Sequence, residues 1–369
     1  MKKLAIIGAS YLQIPLVVKA KEMGIETHCF AWEEGAVCKE ISDFFYPLSI
    51  LEKEKILEIC HNVQIDGITT IASDAAVPTV CYVAGKMGLI GNAFEDALVS
   101  TDKYLMRQRF AVFSVSSPRF VIADEEYSVK NFNFPVIVKP TDRSGSRGVK
   151  RVLDPADLQE AVKRAQNESF TQQAIIEEYI SGSEVSVESI TWKGKHFILA
   201  ITDKVTTEEP YFVELEHHQP SQLPDIIQQK IKSETLKALT ALNIKYGASH
   251  AEFKITSNGE VFAIEVGARM GGDFIGSHLV QLSTGYDFVK GVIEISLGHF
   301  DEPVLKQTKC SGVYFLCKET EYLLPVIQKE GIYSEIVEAE LTDPVLHTIQ
   351  CSADRSGYLI YQAEKRFIL

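Results

Sequence analysis

The sequence predicts a chain of mixed α/β and α+β class in three units: a parallel-sheet unit over 1–98, a larger α+β unit over 99–300, and a small β-rich unit over 301–369. Three observations carry that reading. Strand-like and helix-like segments alternate up to about residue 98. A hairpin with two facing carboxylates is centred on Asn258-Gly259. From about residue 301 the helical spacing gives way to short alternating runs.

In the first unit KKLAIIG, ETHCFAW and DGITTIAS are apolar runs of buried-strand type, while LQIPLVVKAKEMG and KEKILEICHNV space their apolar residues as helices do. Gly24 stops the first helix. This rhythm is that of βαβ units on a parallel sheet. The opening strand runs into Gly8-Ala9-Ser10-Tyr11-Leu12-Gln13, which lacks the second and third glycines of a dinucleotide fingerprint. A nicotinamide oxidoreductase is therefore disfavoured, and a small-substrate cleft at the strand ends is the better expectation.

The second unit opens at Ser100-Thr101-Asp102, good N-cap residues before the helical KYLMRQRF. PRFVIAD, PVIVKP and VKRVL read as strands, with a glycine-rich loop before the last. Asp154-Pro155 begins the helix ADLQEAVKRAQ as N-cap and first-turn proline. Strands AIIEEYI and EVSVESITW follow, joined at Ser181-Gly182. The polar, proline-bearing stretch from Thr206 to Pro224 reads as a long loop over the site. Helix IIQQKIKSETLKALTALN precedes the carboxylate hairpin, and GARMGGDFIG and a helix near YDFVKGVIEISLG come after it. SGVYFLC, SEIVEAEL and SGYLIYQAE are the strands expected in the last unit.

Composition narrows the function. A formal net charge of −13 argues against nucleic acid as a partner, because phosphate binding needs a basic surface. No apolar stretch approaches the ~18–20 residues of a membrane span. MKKLAIIGAS is too short an apolar run for a signal peptide and reads as a first strand. The seven cysteines are scattered, odd in number and free of any CxxC pair, so reduced thiols in a cytoplasm fit better than disulfides or a zinc site.

Four groups of residues carry chemistry. Glu252 and Glu265 lie equally far from the centre of the Asn258-Gly259 turn, where a two-residue hairpin needs positive φ at both positions. They should face each other, and like charges directly opposed in a ladder are destabilising unless a cation joins them. Few, hard oxygen ligands suit Mg²⁺ carried by nucleotide phosphates; a solvated sheet face is the plainer alternative. Ser144-Gly145-Ser146-Arg147-Gly148 offers free backbone N–H groups to an anion, and Lys139 ends the buried strand just before it. It is not a P-loop, since no Gly-Lys-Ser/Thr is present and a strand follows. In Glu177-Glu178-Tyr179-Ile180-Ser181-Gly182-Ser183-Glu184, strand-end backbone can read an adenine edge and a carboxylate can take ribose hydroxyls. Arg269 sits four residues past Glu265.

Taken in order, Lys103, Lys139 with SGSRG, EEYISGSE, and Glu252 and Glu265 with GARMGG resemble the ATP-grasp superfamily over about residues 100–275. The resemblance implies a Rossmann-like (pre-ATP-grasp) unit over 1–98 and an ATP-grasp domain over 99–300 with a lid subdomain at about 112–182. The 301–369 unit stays a small β-rich C-terminal addition. It implies ATP and Mg²⁺ as cofactors, with Mn²⁺ an alternative metal. By the resemblance, Lys103 and Lys139 contact phosphates, and Ser144, Gly145, Ser146, Arg147 and Gly148 fold over them. Glu177 with the backbone around Glu178 and Ile180 holds adenine, and Glu184 takes the ribose. Glu252 and Glu265 bind metal, and Arg269 steadies the reacting carboxylate or phosphoryl group. One departure stands out: the family commonly has asparagine two residues after the second metal glutamate, and this chain has Gly267. The number of metal ions is left open. His250, placed opposite Gly267, is a candidate to fill the space.

Ser249-His250-Ala251-Glu252 with GARMGG looks most like bacterial L-amino-acid ligases and related carboxylate–amine ligases, as does FVELEHHQPS with Glu214, His217 and Pro220. The implied reaction is amide formation from a small acid and an amine through an acyl phosphate, releasing ADP and phosphate. His217, His250 or the substrate itself takes the amine's proton. A purine-biosynthetic or carbamoyl-phosphate-type ligase, and a non-catalytic nucleotide-binding module, are the alternatives. Small-molecule partners, no nucleic acid, no membrane, a cytoplasmic location and a homodimer complete the expectation.

Overall fold

The computed structural model describes residues 1–124, 129–130, 132–207, 211–306, 309–329, 331 and 333–369. Strands Lys3–Ile7 (β1), Glu26–Ala31 (β2), Phe44–Pro47 (β3) and Gly67–Thr69 (β4) form a sheet in the order β3-β2-β1-β4. Every pairing in it is parallel, as the βαβ rhythm requires. The helix Ile14–Glu22 buries Leu16, Val17 and Ala20 in one core with Phe288, Val289 and Val292 of the helix Phe288–Ser296. Each such side chain contributes roughly 1.5–3 kcal/mol of burial, so the N-terminal unit is welded to the rest.

A second sheet, order β5-β8-β6-β7, is antiparallel and holds Phe120–Ile122 (β5), Val136–Pro140 (β6), Lys150–Val152 (β7) and Ala174–Glu178 (β8). The helix Leu158–Glu168 covers one face with Leu158, Ala161, Val162 and Ala165, spaced at one helical stripe. Asp154 caps its start by accepting from Ala156 N at 2.8 Å.

The largest sheet has eight strands: Ser183–Trp192 (β9), Lys195–Thr206 (β10), Glu214–Gln219 (β11), Tyr246–Ile255 (β12), Val261–Gly267 (β13), Cys310–Leu316 (β14), Ile336–Leu341 (β15) and Gly357–Ala363 (β16). Their order is β13-β12-β9-β10-β11-β14-β16-β15. The strands beyond residue 301 therefore extend the central sheet through the β11–β14 pairing.

Three local expectations need correction. The stretch after Thr206 is not one long loop, because Glu214–Gln219 is a strand between β10 and β14 (residues 208–210 lie outside the described residues). Its polar sequence is paired internally: His218 joins Tyr361 and Glu216, and Gln219 Nε2 donates to Thr202 Oγ1. The two strands joined at Ser181-Gly182 are not neighbours in one sheet either. β8 and β9 belong to different sheets, and a Cβ on Gly182 would lie 1.9 Å from Ile255 O, so only glycine passes between them.

The third correction concerns the carboxylate hairpin. Its turn is not the two-residue type: Thr256 and Glu260 still pair, Gly259 alone has positive φ, and Ile255 sits opposite Val261. That is one residue out of the expected register. A bulge then inserts Ile264, so that Phe253 faces Ala263 while Glu252 faces Glu265 and His250 faces Gly267. The extra residue's carbonyl is used, accepting from Arg107 Nη2 at 2.6 Å.

Candidate active site

Strand alternation puts one row of polar residues on one face of the large sheet. β9 supplies Glu184, Ser186 and Glu188, and β12 answers with Lys254, Glu252 and His250 at the paired positions. β10 places Lys204 opposite Glu184, and β11 places His217 opposite Lys204. Glu265 closes the row on β13.

At one end, Lys103, Lys139 and Glu177 meet. Lys139 Nζ lies 2.7 Å from Glu177 Oε2, and Arg107 Nε lies 2.9 Å from Glu177 Oε1. The Glu177 carboxylate is thus a buried counter-ion to two cations, and the side chain itself is not free to hold adenine. Burial alone pushes its pKa up, but Arg107 and Lys139 overcome that and keep it below the ordinary value. Burial pulls the Lys139 ammonium down despite Glu177. Lys103 Nζ reaches Glu265 Oε1 at 2.9 Å and Arg143 O at 2.5 Å; burial lowers its pKa, and Glu265 more than reverses this.

A cavity of about 210 Å³ opens here, lined among others by Lys103, Lys139, Ile180, Glu184, Glu252 and Glu265. Ser144, Gly145 and Ser146 also border it, and Ser144–Arg147 are exposed on the loop between β6 and β7. Gly148 is half-buried at its end. Glu178 pairs with Arg119 at the rim. A larger cleft of about 790 Å³, walled by Trp32, Leu51, Pro78, Leu98 and Phe170, joins the first at Asp74, Lys103 and Glu265.

The centre of the row contains a cation that sequence reasoning missed. Lys204 Nζ stands 2.7 Å from Glu184, 2.8 Å from Glu252 and 3.2 Å from Glu214. Burial works against its charge, yet the three carboxylates hold its pKa well above the ordinary value. Glu252 is likewise kept well below the carboxylate range, with Lys204 and His250 outweighing burial. Glu184 also pairs with Lys254 at 3.0 Å. Alternation along β10 from Thr202 to Lys204 is the signal that could have exposed Lys204.

His250 is locked by its Nδ1 to Glu188, and its Nε2 lies 3.3 Å from Glu252. Burial lowers its pKa, but Glu188 and Glu252 raise it to about 9. It is therefore a fixed cation at neutral pH. Glu188 was missed as well; its other oxygen accepts from Gly271 N at 3.0 Å.

His217 is different. Among the described residues neither ring nitrogen has a hydrogen-bond partner, the ring meets Phe315 edge-on, and Nε2 is 3.8 Å from Asp273 Oδ2. Arg355 binds the same Asp273 oxygen at 2.8 Å and also donates to Glu214 O. Burial holds the His217 imidazole below its ordinary pKa of 6.5 against the pull of Asp273. The unfolded chain then takes up this proton at higher pH than the folded one, so the stability tied to a neutral His217 is lost as pH falls through 6.5. Urea unfolding at about pH 7.5 and about pH 5 should show wild type losing more stability than His217→Gln. Equal losses would remove the neutral-imidazole assignment.

Arg269 pairs with Asp74 of the N-terminal unit, Nη2 to Oδ2 at 2.7 Å. Glu252 and Glu265 are partners in the ladder and both line the 210 Å³ cavity, and two carboxylates are donors of the kind that would suit a hard divalent cation. Glu184, Glu214 and Glu252 bring oxygens within 4.8 Å of one another around the Lys204 ammonium, while Glu265 is paired with Lys103.

Comparison with known proteins places this geometry. A model of the ATP-grasp domain matches residues 132–277. Alanine–anticapsin ligase of Bacillus subtilis (strain 168) is 26% identical over 272 residues, which is 63% of this chain and 57% of that protein. The match thus spans little more than half of that relative's length. The L-amino acid ligase from Bacillus licheniformis superposes with a TM-score of 0.80 at 22% identity, covering 99% of this chain and 94% of the other. Phosphoribosylglycinamide synthetase from Anaerococcus prevotii gives 0.79 at 22% identity, with 99% and 95% covered. Residues 132–277 of this chain match the ATP-grasp domain, and the chain shares the fold of the ligase and the synthetase over nearly its whole length.

Proposed function

We propose that this chain is an ATP-dependent carboxylate–amine ligase that joins amino acids or related small acids to an amine, releasing ADP and phosphate. The observation that carries this is the facing pair Glu252 and Glu265 beside Lys103 on the wall of the 210 Å³ cavity. Lys103, Lys139 and the 144–148 loop neutralise and cover the phosphates, while the backbone around Glu178 and Ile180 takes adenine and Glu184 the ribose. Glu252 and Glu265 would hold Mg²⁺, or Mn²⁺ in its place, which supplies charge neutralisation across the phosphates when bound.

The acid's carboxylate oxygen bonds to the γ-phosphorus as the bond to ADP breaks, giving an acyl phosphate. Arg269 balances charge at that centre, and closure of the loop keeps water from the intermediate. The amine nitrogen then bonds to the carbonyl carbon, and phosphate leaves with the electron pair of the broken C–O bond. His217, buried, neutral and without a hydrogen-bond partner among the described residues, takes the amine's proton; His250, held protonated by Glu188, contributes charge instead. The relative named for joining alanine supports the amino-acid reading over the purine one, because the two solved folds match equally well. No helix among the described residues is long and apolar enough to cross a membrane.

The test is ADP release with ATP and Mg²⁺ against amino acids singly and in pairs, followed by mass analysis. Release that needs two amino acids, with a product equal to their sum less water, is the expected result. Release with bicarbonate or a ribosylamine instead would move the chain to the carbamoyl-phosphate or purine class. ATP binding with no release in any arm would leave only a nucleotide-binding module.

A further inference from the structure

Gly267 stands two residues beyond Glu265 on β13, so any side chain there would project onto the face that carries Glu252 and Glu265. That space is filled from elsewhere in the chain. A Cβ on Gly267 would lie 2.5 Å from Asp74 Oδ1 and 3.3 Å from the guanidinium carbon of Arg269. A carboxylate oxygen is no flexible tip to be pushed aside here, because Asp74 Oδ2 is bound to Arg269 Nη2 at 2.7 Å.

The segment that delivers Asp74 is fixed on both sides. Ile71 forms a parallel bridge with Met270, and Ala72 N donates to Met270 O at 3.1 Å. Gln13 Nε2 donates to Ile71 O at 2.7 Å, tying the same segment to the loop after β1. The backbone around 70–74 is thus stitched to the residues that carry Arg269. Asp74 borders the same cavity as Lys103 and Glu265. Burial disfavours its charge, but Arg269 and Lys103 keep it ionised with a pKa below the ordinary value.

We propose that Asp74, reaching across from the N-terminal unit, takes the place of the side chain that residue 267 lacks. It acts as a positioning residue for Arg269, holding the guanidinium at the cavity that Glu252 and Glu265 also border. The proposal rests on reading the site as one for ATP and a divalent cation. It makes Gly267 a cleared space rather than a lost function, and it makes the N-terminal unit part of the nucleotide centre.

The experiment is a cycle of Asp74→Ala, Gly267→Asn and the double variant on the full chain, with Asp74→Asn as an isosteric control. Two readouts are taken without turnover: melting temperature, and Mn²⁺ binding in the presence of ADP followed by electron paramagnetic resonance. Gly267→Asn alone should melt lower than wild type, since its Cβ meets Asp74. Asp74→Ala and Asp74→Asn should each weaken Mn²⁺ binding about tenfold or more, the usual cost of losing a supporting group at a metal site. In the double variant the amide of Gly267→Asn enters the space vacated at residue 74. Its melting temperature should exceed that of Gly267→Asn, and its Mn²⁺ affinity should exceed that of Asp74→Ala. Additive losses in the double variant, or wild-type Mn²⁺ affinity in both Asp74 variants, would overturn the exchange while leaving the nucleotide site in place. Absence of Mn²⁺·ADP binding in the wild-type chain would overturn the nucleotide reading, and this one with it.

Discussion

Glu265→Gln is expected to cut ATP-dependent turnover by at least about 10³-fold, roughly 4 kcal/mol of barrier, while leaving the fold intact. The carboxylate faces Glu252 across the ladder and is held by Lys103, so its charge is arranged for the cavity. Glutamine keeps the size and one oxygen but loses the charge that a hard cation needs. The fold should survive because Glu265 is partly exposed, and the backbone pairing of β12 with β13 does not depend on its charge. Steady-state ADP release and a melting curve on the same preparation check both halves. Full activity in this variant would sink the metal assignment, and loss of cooperative melting would show that the residue is structural first.

Lys204→Met is the change with the largest expected effect on stability. The lysine is buried among Glu184, Glu214 and Glu252, whose oxygens lie within 4.8 Å of one another. Removing the ammonium they share leaves the three carboxylates to repel one another, with only the outlying Lys254, His250 and Arg355 as partners among the described residues. Breaking a buried pair from one side costs about 3–5 kcal/mol, and the partial exposure of the glutamates puts the expectation near about 3 kcal/mol. The deficit carries a sign in pH. In wild type Lys204 depresses the Glu252 pKa; without it the clustered carboxylates take up protons more readily. The gap between variant and wild type should therefore narrow as pH falls from about 7.5 to about 5, read by urea unfolding. A gap that stays constant would mean that the loss comes from packing of the lysine stem.

The sequence exposed those parts of the fold that local pattern controls. Short apolar runs such as KLAII and ETHCFA are strands wherever they occur, and the parallel pairing of β1 with β2 follows from the helix between them. The facing of Glu252 and Glu265 was reached through two errors that cancel. The turn is one residue longer than its Asn-Gly sequence implies, and the bulge at Ile264 restores the register. No local signal announces that bulge, whose carbonyl is answered by Arg107 from a distant helix.

β11 escaped notice because polarity is a poor sign of a loop when each polar group has a partner inside, as His218 has in Tyr361 and Glu216. Within the site, the residues found by motif were those at fixed spacing: Lys139 before its glycine loop, and Arg269 after Glu265. Glu188, Lys204, Asp74, Asp273 and Arg355 were not found, since their meaning lies in contacts between separate strands and units, up to 195 positions apart for Asp74 with Arg269. Only alternation along EVSVESITW, which turns Glu184 and Glu188 to one side, was available to flag Glu188.

Arg355 has a further consequence, one of timing. It is separated by 82 positions from Asp273, whose carboxylate it binds, and it leads into β16, the strand between β14 and β15. On a ribosome adding about 5–20 residues per second, Asp273 waits roughly 4–16 s for this counter-charge. During that interval Glu214, His217 and Asp273 lack the guanidinium that ties Asp273 to Glu214. A growing chain therefore passes through a stage in which Asp273 and Glu214 are already made and the guanidinium that joins them is not.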